Sequence, residues 1–318
     1  MIGIKEMSNT LKIFSGSSNP ELAQEIAKYL GIELAKIELK RFKDCEISVK
    51  LKDNVRACDV FIIQSTSKPA NDHIIELLLI IDAAMRASAT RITAVVPYFG
   101  YARQDRKVEP RVPISSKVMA NIIQTSGADR VLTLDLHADQ IQGFFDIPVD
   151  NLFVTPISIE YLKSLKIENP VVVSPDSGGA DRARFLAKHI NADLAIIDKR
   201  RPEANVSEVM NVIGDVKKRN CIIVDDMVDT GGSISKACAA LREQGALDVY
   251  CLFSHAVLSD DAHLKLDSAG FKQVIFTNSI PLQKGVGFKN SHILSIAPLF
   301  GEAIRRIHNG ESVSSLFV

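Results

Sequence analysis

The chain has no excess of either charge: 38 lysines and arginines balance 38 aspartates and glutamates. No global field therefore draws it to nucleic acid or to an acidic membrane surface. Cysteine is sparse, five residues at positions 45, 58, 221, 238 and 251, with no Cys-x-x-Cys pair. That scatter excludes a disulfide framework or a thiolate zinc site and reads as reduced thiols in the cytoplasm. The most apolar short run, Leu77 to Ile81, falls far short of the roughly 20 residues that span a membrane. Met1 to Thr10 has no long apolar core, so no signal peptide is expected. Two nucleotide-binding signatures are also missing. No Gly-x-x-x-x-Gly-Lys-Ser/Thr occurs, and Gly285-Val-Gly287 lacks the third glycine of a dinucleotide fingerprint. Neither a short-period repeat nor a low-complexity segment is present.

What remains is an ordinary globular composition over 318 residues, a length that suggests two domains. Apolar strands alternate with helices throughout. Leu11–Phe14, Val60–Ile63, Ile92–Val96 and Val131–Leu134 read as strands in the first half. Pro20–Leu30, His73–Ser88 and Ser115–Thr125 read as the helices among them. The second half repeats the pattern with strands at Val171–Val173, Leu194–Ile197, Ile222–Val224, Val249–Phe253 and Val274–Phe276. Its helices are expected at Ala180–His189 and Ile234–Gln244. Continuous apolar strands between helices predict an α/β fold: two tandem doubly wound domains with mainly parallel sheets. The boundary is expected near Asp150, giving domains 1–150 and 151–318, with the C-terminal segment able to pack back on the first.

In such sheets ligands bind beyond the carboxyl ends of the strands. The richest cluster there is Cys221-Ile-Ile-Val-Asp-Asp-Met-Val-Asp-Thr-Gly-Gly-Ser233. An apolar strand runs into Asp225 and Asp226, and a loop through Asp229, Thr230, Gly231, Gly232 and Ser233 opens a helix. Backbone N–H groups at such glycines close around a phosphate, and the helix dipole favours an anion. The carboxylates, acceptors only when ionised, suit the vicinal hydroxyls of a ribose. The plainer alternative is a solvated acidic turn with Ser233 as helix cap.

Other strand ends carry related chemistry. Tyr98 to Lys107 places Arg103, Gln104, Arg106 and Lys107 behind aromatics, a composition that can grip a polyphosphate. Lys199-Arg200-Arg201 follows a strand ending at Asp198 and could supply charge to a reacting phosphate. Taken alone, each basic run is also a reasonable solvated loop. His137, in Asp135-Leu-His137, and Asp176 are available to a divalent cation held mainly by nucleotide phosphates. Asp176-Ser-Gly-Gly179 superficially matches a chymotrypsin-like nucleophile segment, but Pro175 stands where a glycine is wanted and the surroundings are α/β.

Together these motifs resemble the class I ribose-phosphate pyrophosphokinases, the synthetases of phosphoribosyl pyrophosphate, whose domains are phosphoribosyltransferase-like. The most specific pieces are Tyr101-Ala-Arg-Gln-Asp105, Asp135-Leu-His137, Gln140-Ile-Gln-Gly-Phe-Phe145, Asp198-Lys-Arg-Arg201 and Asp225 to Ser233. The last is shared with phosphoribosyltransferases, so the other four separate a maker of the activated sugar from a user of it. The resemblance implies transfer of the diphosphoryl group of ATP to the 1-hydroxyl of ribose 5-phosphate, with Mg2+. It assigns Phe42, Asp44, Cys45 and Glu46 to the adenine site, from a neighbouring subunit of a homohexamer, and Arg103 with Gln104 to the nucleotide. It assigns His137 and Asp176 to the metal, and Asp225, Asp226 and Asp229 to Ser233 to ribose 5-phosphate. Lys199, on a mobile loop with Arg201 beside it, is the implied catalytic residue. The chain departs from the family pattern at four places. Cys45 stands for a glycine, Asp139 for a proline, and Asn54 and Ala57 for the serine and glycine flanking Arg56. The last two fall in a segment linked to phosphate and ADP regulation in the family. A phosphoribosyltransferase, which would not need the first α/β half with its Arg-Gln-Asp loop, and a non-catalytic, regulatory member of the family are the alternatives.

Overall fold

The computed structural model describes residues 10–200, 209–283 and 287–316, without the side chains of 199, 200 and 209. Up to residue 153 the elements are β1 (Thr10–Ser15), α1 (Pro20–Leu30), β2 (Ile37–Arg41), β3 (Ile47–Leu51), β4 (Cys58–Ile63), α2 (Ala70–Arg86), β5 (Arg91–Val96), α3 (Ser115–Thr125), β6 (Arg130–Leu134) and β7 (Val149–Leu152). There follow α4 (Thr155–Ser164), β8 (Pro170–Ser174), α5 (Ala180–Ile190), β9 (Asp193–Arg200), β10 (Val209–Ile213), β11 (Asn220–Val228) and α6 (Gly232–Glu243). The chain finishes with β12 (Val249–Ala256), α7 (Ala262–Ser268), β13 (Gln273–Thr277), β14 (Ser291–Leu294) and α8 (Ala297–Asn309). The described residues fall into two compact units, one up to Phe153 together with Ala297 onward, the other Val154 to Ile296.

The first unit is built on a parallel sheet in the order β1-β4-β5-β6-β7. Every residue of β4 is buried, as a strand covered on both faces requires. Leu77, Ile80 and Ala84 of α2 and Ala120 and Ile123 of α3 pack with Val60, Ile62 and Val96 in one core. Helices α1 and α8 pack against each other. A Cβ at Gly301 would stand 2.3 Å from the Tyr29 ring, so only glycine lets those two helices approach so closely. Helix α1 carries its own punctuation. Asn19 Oδ1 accepts from Leu22 N–H at 3.3 Å, Pro20 opens the first turn, and Gly31 closes the helix at φ 70°.

The second sheet has seven strands in the order β10-β9-β8-β11-β12-β13-β14, all parallel except β10. Alternation along its strands divides the core into two layers. Val171, Ile223, Phe253 and Phe276 pack with Ala237 and Leu241 of α6 and Leu266 of α7. Val172, Ile222, Leu252 and Ile275 pack with Leu162 of α4 and Leu186 of α5.

One polar lock ties the end of the chain to the first sheet. Asp59, 1% exposed at the start of β4, takes both arms of Arg91, at 2.9 and 2.5 Å. Arg91 Nη2 also donates to the carbonyl of Ile307 at 2.8 Å, and His308 Nδ1 lies 2.8 Å from Asp59 Oδ2. Asp59→Ala leaves Arg91 and His308 without their carboxylate partner and is expected to lower stability by about 3 kcal/mol in urea unfolding. A loss under about 1 kcal/mol would mean that packing alone holds α8.

Candidate active site

Strand order positions the site of the second unit. From β8 the chain winds outward through β9 to β10, then returns to β11 on the other side of β8 and continues to β14. At such a reversal the crossovers leave to opposite faces and open a crevice beyond the strand ends. The loop leaving β8 carries Asp176, and the turn leaving β11 carries Asp229, Thr230 and Gly231 into Gly232 and Ser233 at the start of α6. Pairing of β8 with β11 stops at Ile223, whereas pairing of β11 with β12 runs on to Val228. Asp225 and Asp226 therefore lie within a strand, past the last pairing with β8, and not in a turn after Val224. The extra ladder to β12 explains the difference from the sequence expectation.

The two carboxylates are unequally covered: Asp226 is buried and Asp225 half-buried, with Asp225 Oδ1 accepting from Asp226 N–H at 2.9 Å. Arg182, on α5, reaches both, 3.9 Å from Asp225 Oδ1 and 3.7 Å from Asp226 Oδ1. The sequence reading missed this arginine. Its only signal was its place in the helix that follows Asp176-Ser-Gly-Gly179. Burial, reinforced by repulsion from Asp226, pushes the Asp225 carboxyl up to about 8, against the opposing pull of Arg182.

The turn into α6 follows directly along the chain. Gly231 precedes α6 at φ 73°, and a Cβ there would meet the Ala262 carbonyl oxygen at 3.2 Å, so the position accepts only glycine. A Cβ at Gly232 would face open space. No side chain caps α6, which leaves its first-turn N–H groups for an anion. Thr230 and Ser233 are exposed beside them, and Asp229 is half-buried. Asp176 Oδ1 accepts from Gly178 N–H and Gly179 N–H, at 2.9 and 3.1 Å, fastening the loop that leads into α5. Lys199 lies within β9, its backbone paired opposite Met210 of β10, because the strand runs on past Asp198. Arg201 lies outside the described residues.

In the first unit the loop after β5 is anchored by burying Tyr98, Phe99 and Ala102, and Gly100 N–H donates to Thr66 Oγ1 at 2.6 Å. Arg103 and Gln104 are exposed, with Gln104 Oε1 accepting from Ser115 Oγ. The next strand end is tied to this loop: Gln140 Nε2 donates to Asp105 Oδ2 at 3.0 Å. Asp139 opens the 3-10 helix that carries Gln140, and His137 is exposed just ahead of it. Among the described residues, no three His, Cys, Asp or Glu side chains come together as a metal cage.

Phe42 to Glu46 form the tip of the β2–β3 hairpin, which the sequence reading did not resolve as an element. Phe42 N–H donates to Glu46 O at 2.9 Å and Cys45 N–H to Phe42 O at 3.0 Å. Lys43, Asp44 and Cys45 thus make a three-residue turn whose last position is left-handed, Cys45 at φ 73°. Phe42 is 59% exposed at this tip. Asp44 Oδ1 accepts from Glu46 N–H at 3.2 Å. The other departures are also local. Asn54 Oδ1 accepts from Arg56 N–H at 3.0 Å, as a serine hydroxyl could, and Ala57 holds φ 56°.

A carboxylate pair and an uncapped, glycine-led helix meet at a sheet reversal of a mainly parallel α/β protein, the place where such sheets bind ligands. Residues 11–127 match the N-terminal domain of ribose phosphate pyrophosphokinase, and residues 201–318 match the phosphoribosyl synthetase-associated domain. The chain is 53% identical over 307 residues to a ribose-phosphate pyrophosphokinase of Campylobacter jejuni, covering 96% of this chain and 99% of that one. It is 55% identical over 310 residues to one of Vibrio parahaemolyticus, covering 96% and 99%. A solved phosphoribosylpyrophosphate synthetase from Mycobacterium smegmatis superposes with TM-score 0.90 at 42% identity, over 95% of this chain and 100% of that one. The chain belongs to the ribose-phosphate pyrophosphokinase family.

Two outcomes follow from the local geometry. Cys45→Gly removes a side chain from a left-handed position and is expected to stabilise the hairpin by about 1 kcal/mol, seen as slower amide exchange across residues 37–51. Unchanged exchange would show that the cysteine sits there without strain. Asp225, with its raised pKa, holds its proton more tightly folded than unfolded. Its contribution to stability is present below about pH 4 and is lost as pH rises through about 8. Thermal stability of the ligand-free protein should therefore fall across this window more steeply in wild type than in Asp225→Asn. Parallel profiles would remove Asp225 as the source.

Proposed function

We propose that the protein transfers the diphosphoryl group of ATP to the 1-hydroxyl of ribose 5-phosphate, giving phosphoribosyl pyrophosphate and AMP for nucleotide biosynthesis. The observation that carries this reading is the cradle at the β8/β11 reversal in a chain about half identical, over its whole length, to named pyrophosphokinases. In the acceptor role, first-turn N–H groups of α6, with Thr230 and Ser233, take the 5-phosphate. Asp225 and Asp226 accept from ring hydroxyls and so orient the 1-hydroxyl, with Asp229 supporting the same loop.

For the donor, Arg103 and Gln104 bind the nucleotide. Phe42, Asp44, Cys45 and Glu46 contact adenine at the site of a neighbouring subunit in a homo-oligomer, a hexamer by family resemblance. The exposed Phe42 ring at a hairpin tip supports that role. Phosphoryl chemistry asks the protein mainly for in-line placement and charge neutralisation. Lys199, assisted by Arg201, supplies positive charge to the transferring group. With no three-ligand cage among the described residues, Mg2+ would be held largely by phosphate oxygens, with His137 and Asp176 as its protein contacts. Bound there, the ion would neutralise charge on the polyphosphate.

No helix among the described residues is long and apolar enough to cross a membrane, and we place the enzyme in the cytoplasm. Incubation with ATP, Mg2+ and ribose 5-phosphate should release AMP in step with sugar consumption. ADP as product would instead make it an ordinary kinase, and no turnover would favour a regulatory member. Lys199→Ala should lower kcat by roughly a hundredfold or more while leaving the fold intact. A loss of only a fewfold would take Lys199 out of the central role.

A further inference from the structure

Beneath the carboxylate pair lies a small cavity of about 10 Å³, lined among others by Thr155 and Ser158 of α4, Arg182 of α5, Asp225, and Ser254 of β12. The rest of the wall is apolar, from Val154, Leu186, Val224 and Leu252, and the volume matches one water. Ser158 is fully buried, and its Oγ finds no hydrogen-bond partner in the protein. A buried hydroxyl left unmatched is unfavourable, and a native structure normally supplies a partner. A second observation points to the same space. Arg182 stands 3.9 Å from Asp225 and 3.7 Å from Asp226, too far for direct hydrogen bonds, a separation that a water beside the three groups can complete.

We propose that one water buried in this cavity joins Ser158 Oγ to Arg182 and Asp225, making Ser158 a positioning residue for the sugar-binding carboxylates. The water holds the guanidinium back from a direct bidentate grip. Such a grip would occupy the acceptor oxygens that the ribose hydroxyls need. Arg182 thereby steadies the pair without consuming it. This role rests on the reading of Asp225 and Asp226 as sugar ligands.

Two variants test it. Ser158→Ala removes the hydroxyl and keeps the room, while Ser158→Val also fills the room and displaces the water. Both should raise KM for ribose 5-phosphate, the valine variant more, by roughly three- to tenfold, the scale of one buried hydrogen bond. KM for ATP should move less than about twofold, since no donor-binding residue lines the cavity. A valine variant with unchanged KM for the sugar and raised thermal stability would show a dry packing gap and overturn the proposal. If the valine variant fails to fold, unchanged sugar KM in the alanine variant overturns it equally. A wild-type enzyme that makes no AMP from ATP and ribose 5-phosphate would instead fail the activity itself, a result distinct from turnover with unaltered variants.

Discussion

Two carboxylates held side by side on one strand repel each other, and the elements around β11 contain that repulsion. Asp225 and Asp226 keep their positions because β11 continues its ladder with β12 after β8 has ended. One backbone edge fixes them while the other stands open. Arg182 supplies the compensating charge from α5, across the reversal in strand order. Burial then tilts Asp225 towards its protonated form, against the pull of Arg182.

The turn from β11 into α6 could be read from the chain because its requirements are local. Gly231 must turn left-handed, Gly232 must leave the helix N-terminus open, and the acids must follow an apolar strand. All three are properties of consecutive residues. The parallel strands were legible for a similar reason: strands buried on both faces, such as Cys58–Ile63, are apolar without interruption. What escaped depended on partners distant in sequence. Arg182 matters only because the fold brings α5 beside β11. Strand β9 runs past Asp198 only because β10 pairs with it. The β2–β3 hairpin did leave a trace, the alternation of Ile37 and Leu39 and of Ile47, Val49 and Leu51. Helix α8 left one too, in Phe300, Ile304 and Ile307 at helical spacing.

Departures from the family pattern acquire meaning from backbone geometry. Cys45 and Ala57, at positions where the family resemblance expects glycine, both sit at positive φ. The turns thus survive the change of residue, and what changes is how easily they form. Asn54 keeps a side-chain acceptor for the Arg56 N–H. Asp139 opens a 3-10 helix, where a carboxylate sits well against the positive end of the helix dipole. These positions conserve shape while altering its local stability.

The grouping of α8 with the first unit makes the second unit an insertion in the chain's path, not a tail appended to a finished domain. Residues 10–153 include α1 and its close seat for Gly301, yet lack the helix that fills that seat. During synthesis the first sheet must therefore wait, with one helix missing, until the whole inserted unit has emerged from the ribosome. The inserted unit is contiguous in sequence and has no such wait. The order in which the two halves can finish folding is thus the reverse of the order in which they begin to be made.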